Sequence, residues 1–560
     1  MALYRVKRIA RDLVARRSPR LYAKHVEWIE SSVPLLNFRP GNCDLSSLDM
    51  ARSVSEFYIG EYIDSIDDVA DGKVALLNRQ VEFGRVEDIN WHHELDEETD
   101  FHLWRQKLAH MGFLCPMLVV GTDKHLSAVR RLIASHRIKA RFDVPGCFSS
   151  YWFPYSVSHR ILAVLSGYAL ASHERELAEP FHDEIESFLR WNVAFLLGNI
   201  EHDLRNNHVE RNLAALCMYF SFVGRPDRSI CTRLDREVRR VMKACILADG
   251  LTAERSAMYQ GLAVMSLGVF SKAACLSPET REVAQKLHSE AVRAWHMMTH
   301  PDGDIALFND SWIGEIPRAR DISGDRDFAP LELLSKAGYA RLQSDAVFVL
   351  MDSGPIGPRW CPGHGHADFL AVEIDVWNKR FIVDPGTFQY STGPRRAFER
   401  SASSHNGPNW KLIEPVEYTG CFRVGKMSEA ELVESDPFED GGSVRGQLKL
   451  KDGSSVDRTL TVSSNLVHVV DNWFGRASGA AVRLIVSDAW VIDDCDNKSV
   501  LLMDGGANVR LTVLEGHVAT VAAGEWSSHY LETRAGSEIV LEPLGDAERT
   551  RLTWEVEVLS

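Results

Sequence analysis

Residues His364–Thr387 read HGHADFLAVEIDVWNKRFIVDPGT. Within this stretch FLAVEIDVW (369–377) and KRFIVDPGT (379–387) carry the two-residue alternation of strands, not a helical period. The same period recurs downstream. AVFVLMDSG (346–354), GQLKLKDGSSVDRTLTV (446–462), with a hairpin at Asp452-Gly453, and NVRLTVLEG (508–516) all read as short strands between turn signals. Many short strands with few helical segments predict an antiparallel β-sandwich over 336–560.

Upstream of about residue 340 the period is helical. EIESFLRWNVAFLLGNIEHDL (184–204) brings Ile185, Phe188, Leu189, Leu196 and Ile200 near one face. RNLAALCMYFSF (211–222) and MYQGLAVMSLGVFSKAA (258–274) behave alike. Such helices in series, joined by polar loops, predict a toroid or solenoid of helix pairs over 105–335. Residues 1–104 form an N-terminal segment of short strands and helices, with KVALLNRQVEFG (73–84) as a strand-like piece.

The chain has 560 residues, enough for two or three domains; 45% of them are hydrophobic and 25% charged, the profile of a globular protein. A net charge of −15 argues against a nucleic-acid partner held by phosphate neutralisation. No CxxC pair suggests a zinc ribbon, and no apolar run has the length of a membrane span. No signal peptide is recognisable, so the expected location is cytoplasmic or reached by non-classical export. The first residues, MALYRVKRIARDLVARRSPR, are nevertheless basic, with Val6, Ile9, Ala10 and Leu13 able to share a helical face. Such a helix either meets an anionic surface or docks its apolar stripe on the protein; the shortness of the stripe favours docking.

Three polar clusters could carry chemistry. RNNHVERN (205–212) holds Asn207 and His208, which serve either as helix caps or as a neutral donor and an imidazole in a cleft. DGLTAERSAMYQGL (249–262) holds Glu254, Ser256 and Tyr259 about one helical turn apart. The third joins His364, His366 and Asp368 to Asp384 and to His405 in RSASSHN (400–406). His366, Asp384 and His405 form a nitrogen and oxygen set of the kind zinc accepts. If 364–366 is a regular strand, His364 and His366 face opposite sides. GPRRAFERSASSHN (393–406) adds Arg395, Arg396 and Arg400, a basic patch in an acidic chain. Trp360, Tyr390 and Trp410 could stack on sugar rings.

Together NNHVERN, ERSAMYQ, HGHADFLAVEIDVWNKRFIVDPGTFQY and RSASSHN resemble the heparinase II/III family of polysaccharide lyases, which includes alginate lyases; FPYSVSHRILAVL (153–165) and HPDGDIALFNDS (300–311) look like its helical domain. The resemblance implies an α+β multidomain chain, an incomplete (α/α) toroid followed by an antiparallel β-sandwich. It implies β-elimination at a uronic acid of an acidic polysaccharide, leaving an unsaturated sugar. By the same resemblance Asn207 neutralises the uronate carboxylate, Tyr259 and His364 are catalytic, and His208 joins them in the cleft. Glu254, Arg396 and Arg400 are expected on substrate. His366, Asp384 and His405 are expected to hold a structural zinc ion. Two other readings are a glycoside hydrolase, with Glu210 and Glu254 as candidate carboxylates, and a non-catalytic polysaccharide-binding protein of an exopolysaccharide system.

Overall fold

The computed structural model describes residues 2–36, 45–223, 226–476, 478–545 and 548–559, with residues 2–5 by backbone alone. Two compact units result: Met1–Ile246 with Leu262–Ser289, and Leu247–Gly261 with Glu290–Ser560. They cut across the expected divisions at 104/105 and 335/336. The segment Leu247–Gly261 and everything from Glu290 onward count with the strands.

Among its described residues the first unit is helical apart from one hairpin, Lys73–Leu76 with Arg79–Glu82, turned by Leu77 and Asn78 at positive φ. Its centre is Pro154–Glu174, whose sequence PYSVSHRILAVLSGYALASHE is apolar or small nearly all round and is buried accordingly. This helix packs against Leu45–Tyr62, Leu103–His110, Leu114–Val120, Glu179–Gly198 and Asn207–Ser221. Gly167 permits the close approach of Leu114–Val120: a Cβ there would stand 2.8 Å from the Cys115 carbonyl oxygen. Asn206 caps Asn207–Ser221, its Oδ1 accepting the His208 N–H at 3.2 Å.

The first helix, Ala2–Arg17, does not dock its apolar stripe. Arg8 pairs with Asp203 at 3.0 Å, Arg11 donates to Asn199 Oδ1 at 3.1 Å and lies over the Phe148 ring, and Ala15 is buried. Val6, Ile9, Leu13 and Val14 face solvent. The charged side is the docked side, so the sequence expectation is reversed.

In the second unit every strand pairing is antiparallel among the described residues. Beside a two-stranded sheet, Val416–Gly420 with Arg423–Met427, there are two large ones: one has eight strands, from Glu429–Phe438 to Val491–Cys495, and the other has nine and includes Val347–Asp352, Val372–Val376 and Lys379–Ile382. Val349, Ile374 and Val482 of the nine-stranded sheet share one core with Val444, Val456 and Leu460 of the other, which makes the pair a sandwich. Ser455–Ser463 alternates buried with half-exposed positions, as a sheet with one wet face does, whereas Val372–Val376 is buried throughout. Its inner residues Val372, Ile374 and Val376 enter the core. Its alternate residues Glu373 and Asp375 meet the segment 300–307: Glu373 Oε1 accepts the Leu307 N–H at 2.7 Å, and Asp375 Oδ1 lies 2.9 Å from His300 Nδ1. The segment that precedes the sandwich is thereby fixed on its outer face.

Candidate functional site

Tyr259 lies in the first turn of the helix Ala257–Lys272, and that turn belongs to the second unit. The residues before it are sewn into that unit. Asp249 Oδ2 accepts the N–H groups of Lys336 and Ala337 at 2.7 and 2.9 Å. The Arg255 carbonyl accepts the Tyr339 hydroxyl at 2.8 Å and the Asn309 amide at 3.2 Å. Ser256 Oγ donates to the Asp310 carbonyl at 2.7 Å and accepts the Tyr259 N–H at 3.2 Å. These bonds place the Tyr259 ring 4.3 Å, centroid to centroid, from the His364 imidazole. The Tyr259 hydroxyl shares a 3.1 Å hydrogen bond with that of Tyr390.

His364 and His366 lie in a loop, not on a strand, and do not point to opposite faces. Both turn to Asp310: Oδ2 is 2.9 Å from His364 Nδ1 and Oδ1 is 2.9 Å from His366 Nε2. The loop follows a tight path. A Cβ on residue 365 would stand 2.0 Å from the Ile356 carbonyl oxygen, so only Gly365 fits. Asn309, at φ 59°, accepts the His366 N–H at 2.9 Å and donates its own N–H to Asp368 Oδ2 at 2.8 Å. Asp368 therefore bonds a neighbouring loop.

Asp310 is buried and would be pushed up by desolvation. Arg396, whose Nη1 is 2.6 Å from Oδ1, and the two histidines outweigh this and hold it well below the usual carboxylate range. An ionised carboxylate only accepts. His364 thus carries its proton on Nδ1, and Nε2 becomes its basic nitrogen. His366 carries its proton on Nε2. Arg396 Nη1 also lies 3.3 Å from that nitrogen, but the shorter contacts to Asp310 define the arrangement, with both donors converging on the carboxylate. Burial, the largest influence, lowers the His366 pKa to about 3, keeping the ring neutral.

The metal expectation meets a mixed arrangement. His366 Nδ1 and His405 Nε2 are buried without hydrogen-bond partners, and their rings are 5.4 Å apart. Asp384 Oδ2 sits 2.7 Å from His405 Nδ1, behind that ring, where it orients the imidazole. Among the described residues no three His, Cys, Asp or Glu side chains gather in a metal-holding group. The two unpartnered nitrogens have the chemistry of zinc ligands; Asp384 stands as a support for one of them.

The expected substrate arginines are placed differently. Arg400 is buried and donates to the carbonyls of Gly363, Gly365, Gly420 and Cys421 at 2.7–3.3 Å, so it holds the histidine loop. Arg396 is buried against Asp310 and 5.1 Å above the Tyr390 ring. Arg395 is bound to Glu399, Ser527 and Thr533. Glu254 is buried. Trp410 is buried with its Nε1 on the Arg476 carbonyl, whereas Trp360 is exposed.

In the helical unit, Asn207 opens its helix with the side-chain amide buried and both its polar atoms unpartnered. His208 is half-buried, with Nδ1 3.2 Å from Glu201 Oε1 and its ring 4.5 Å from that of Tyr155. Glu210 is fully buried, and desolvation pushes its pKa up to about 7. Asp310 and Asn309 were not singled out in the sequence, although HPDGDIALFNDS contains both. The available signal was a polar pair directly after the apolar run IALF.

Residues 327–555 match the model of the heparinase II/III-like C-terminal domain. The C-terminal portion of the chain therefore carries a heparinase II/III-like domain. Among solved structures, heparinase III has 14% identity and a TM-score of 0.67, over 96% of this chain and 89% of its own. A mutant of the heparan sulfate lyase from Pedobacter heparinus has 16% identity and a TM-score of 0.59, over 96% and 88%. At such identities the likeness shows the fold alone: the chain is an (α/α) toroid followed by an antiparallel β-sandwich. No curated protein matches the sequence. No helix among the described residues is long and apolar enough to cross a membrane.

Proposed function

We propose that the chain is a polysaccharide lyase that breaks a uronate-containing acidic polymer by β-elimination. The observation that carries this reading is the contact of Tyr259 with His364, whose proton is fixed on Nδ1 by the ionised Asp310. Elimination needs one group to take the C5 proton and another to protonate the departing glycosidic oxygen. A phenol and an imidazole in contact supply both near neutral pH. The names of the similar structures, heparinase III and a heparan sulfate lyase, favour the same reaction class.

The C5 proton is adjacent to a carboxylate that must accept further negative charge. A neutral donor aimed at its oxygens favours that charge by about 3 kcal/mol without clamping the ground state. Asn207 is read as that donor, because a buried amide with both polar atoms unpartnered suits a ligand it has yet to meet. Zinc is read as a structural ion on His366 and His405, with Asp384 orienting His405. It would pin the loop that bears His364.

The test is incubation with a panel of acidic polysaccharides, read by ultraviolet absorbance and product mass spectrometry. A product carrying an unsaturated uronate supports the reading. A hydrated product from the same polymer sinks it in favour of a hydrolase, because hydrolysis makes no double bond.

A further inference from the structure

The first two helices, Ala2–Arg17 and Pro19–Glu30, present an apolar face that is exposed among the described residues. Val6 and Ile9 are each 60% exposed, Leu13 50%, Leu21 63% and Trp28 72%. Val6, Ile9 and Leu13 recur at helical spacing on the first helix, and Leu21 and Trp28 are two turns apart on the second. Val14, Leu21 and Trp28 line one shallow groove of about 470 Å³, which joins the two helices into a single face.

The opposite side of the first helix anchors it, through Arg8 on Asp203, Arg11 on Asn199 and over Phe148, and buried Ala15. Anchoring a helix through arginines while leaving valine, isoleucine and leucine in water is the reverse of ordinary packing. It leaves the apolar stripe to an outside occupant.

The charge beside the stripe identifies that occupant. Lys7, Arg16, Arg17, Arg20 and Lys24 are exposed around it. Residues 2–24 contain eight Lys or Arg and one acid, Asp12, in a chain of net charge −15. That acid is turned to Arg11 at 2.7 Å; the next acids, Glu27 and Glu30, lie at the far end of the second helix. Apolar side chains including a tryptophan, rimmed by cations, match the boundary of a lipid bilayer with anionic headgroups. A soluble polyanion would use the cations and leave the apolar stripe without a role.

We propose that this face binds the surface of an anionic lipid membrane, the two helices lying in the interface with Val6, Ile9, Leu13, Leu21 and Trp28 inserted. The face is independent of the lyase reading and is tested without it. Full-length protein is sedimented with phosphatidylcholine vesicles with and without phosphatidylserine, at two salt concentrations. At least about tenfold greater binding to the anionic vesicles is expected, falling with salt. The Ile9→Ser/Leu13→Ser/Trp28→Ser variant loses this binding at an unchanged melting temperature, and Arg16→Gln/Arg17→Gln/Arg20→Gln weakens it and flattens its salt dependence. If the triple apolar variant fails to fold, Trp28→Ser alone must lower binding several-fold. The proposal is overturned if the wild type ignores anionic vesicles, or if the apolar variants bind as well as it does. It is also overturned if the wild type is a dimer that they dissociate, or if only soluble acidic polysaccharides are retained.

Discussion

Asp310 accepts the Nδ1–H of His364 through Oδ2 at 2.9 Å, while its other oxygen takes His366 at 2.9 Å and Arg396 at 2.6 Å. One carboxylate therefore sets the tautomer of the candidate catalytic imidazole, orients its neighbour and neutralises a buried guanidinium.

Replacing Asp310 with Ala removes all three interactions and leaves Arg396 a buried cation without a counterion. A loss of about 3–5 kcal/mol is expected, measured by chemical denaturation. The double variant Asp310→Ala/Arg396→Met should recover much of that stability and none of the turnover. A double variant no more stable than the single would show that Arg396 is not the group left in distress.

Tyr259→Phe keeps the ring against His364 and removes the oxygen that moves a proton. Turnover should fall by about 10²–10⁴ with little change in melting temperature. Tyr390→Phe, which removes only the hydrogen-bond partner of that oxygen, should cost far less. Equal losses in the two would remove Tyr259 from its assigned role.

Arg400→Ala separates loop support from substrate contact. Four backbone carbonyls lose their donor, so stability should drop by about 2–4 kcal/mol and kcat should fall as the His364 loop relaxes. KM for the polymer should change little. A raised KM with intact stability would return Arg400 to the substrate.

His366→Ala and His405→Ala should each lower zinc content, read by elemental analysis of protein purified with zinc, and each should lower the melting temperature of the zinc-loaded protein. Chelation should reproduce the shift in the wild type and add nothing in the variants. Unchanged zinc stoichiometry in both variants would dismiss the site.

His300 sets a pH dependence away from the candidate site. Burial, the largest single influence, and Arg380 lower its pKa, but Asp375 and Glu373, 2.9 and 2.8 Å from its two nitrogens, raise it to about 9. The folded state thus binds this proton more tightly than the unfolded chain, whose histidine titrates near 6.5. The stabilisation, on the order of 3 kcal/mol, is complete below about pH 6.5 and is lost as pH rises through about 9. Denaturation across pH 6–10 should show this loss, and His300→Gln should flatten it.

The two halves of the fold were legible because each rests on a local period. FLAVEIDVW alternates by two and EIESFLRWNVAFLLG does not, and side-chain direction in a strand or helix follows from the backbone alone. The candidate His364, His366 and His405 were legible as residue types. Tertiary structure alone decided what they meet. Asp310 is more than fifty residues from both His364 and His366, and no spacing rule relates a loop to the carboxylate that binds it. The same holds for Tyr259, which the helical period assigned to the toroid; hydrogen bonds from Asp249, Arg255 and Ser256 hold its turn in the sandwich unit instead. It holds again for the first helix, whose amphipathic pattern was visible but whose docked side was set by distant Asp203, Asn199 and Phe148. Periodicity reports how a segment folds on itself; long-range polar pairing, which depends on chain closure in space, chooses its partners.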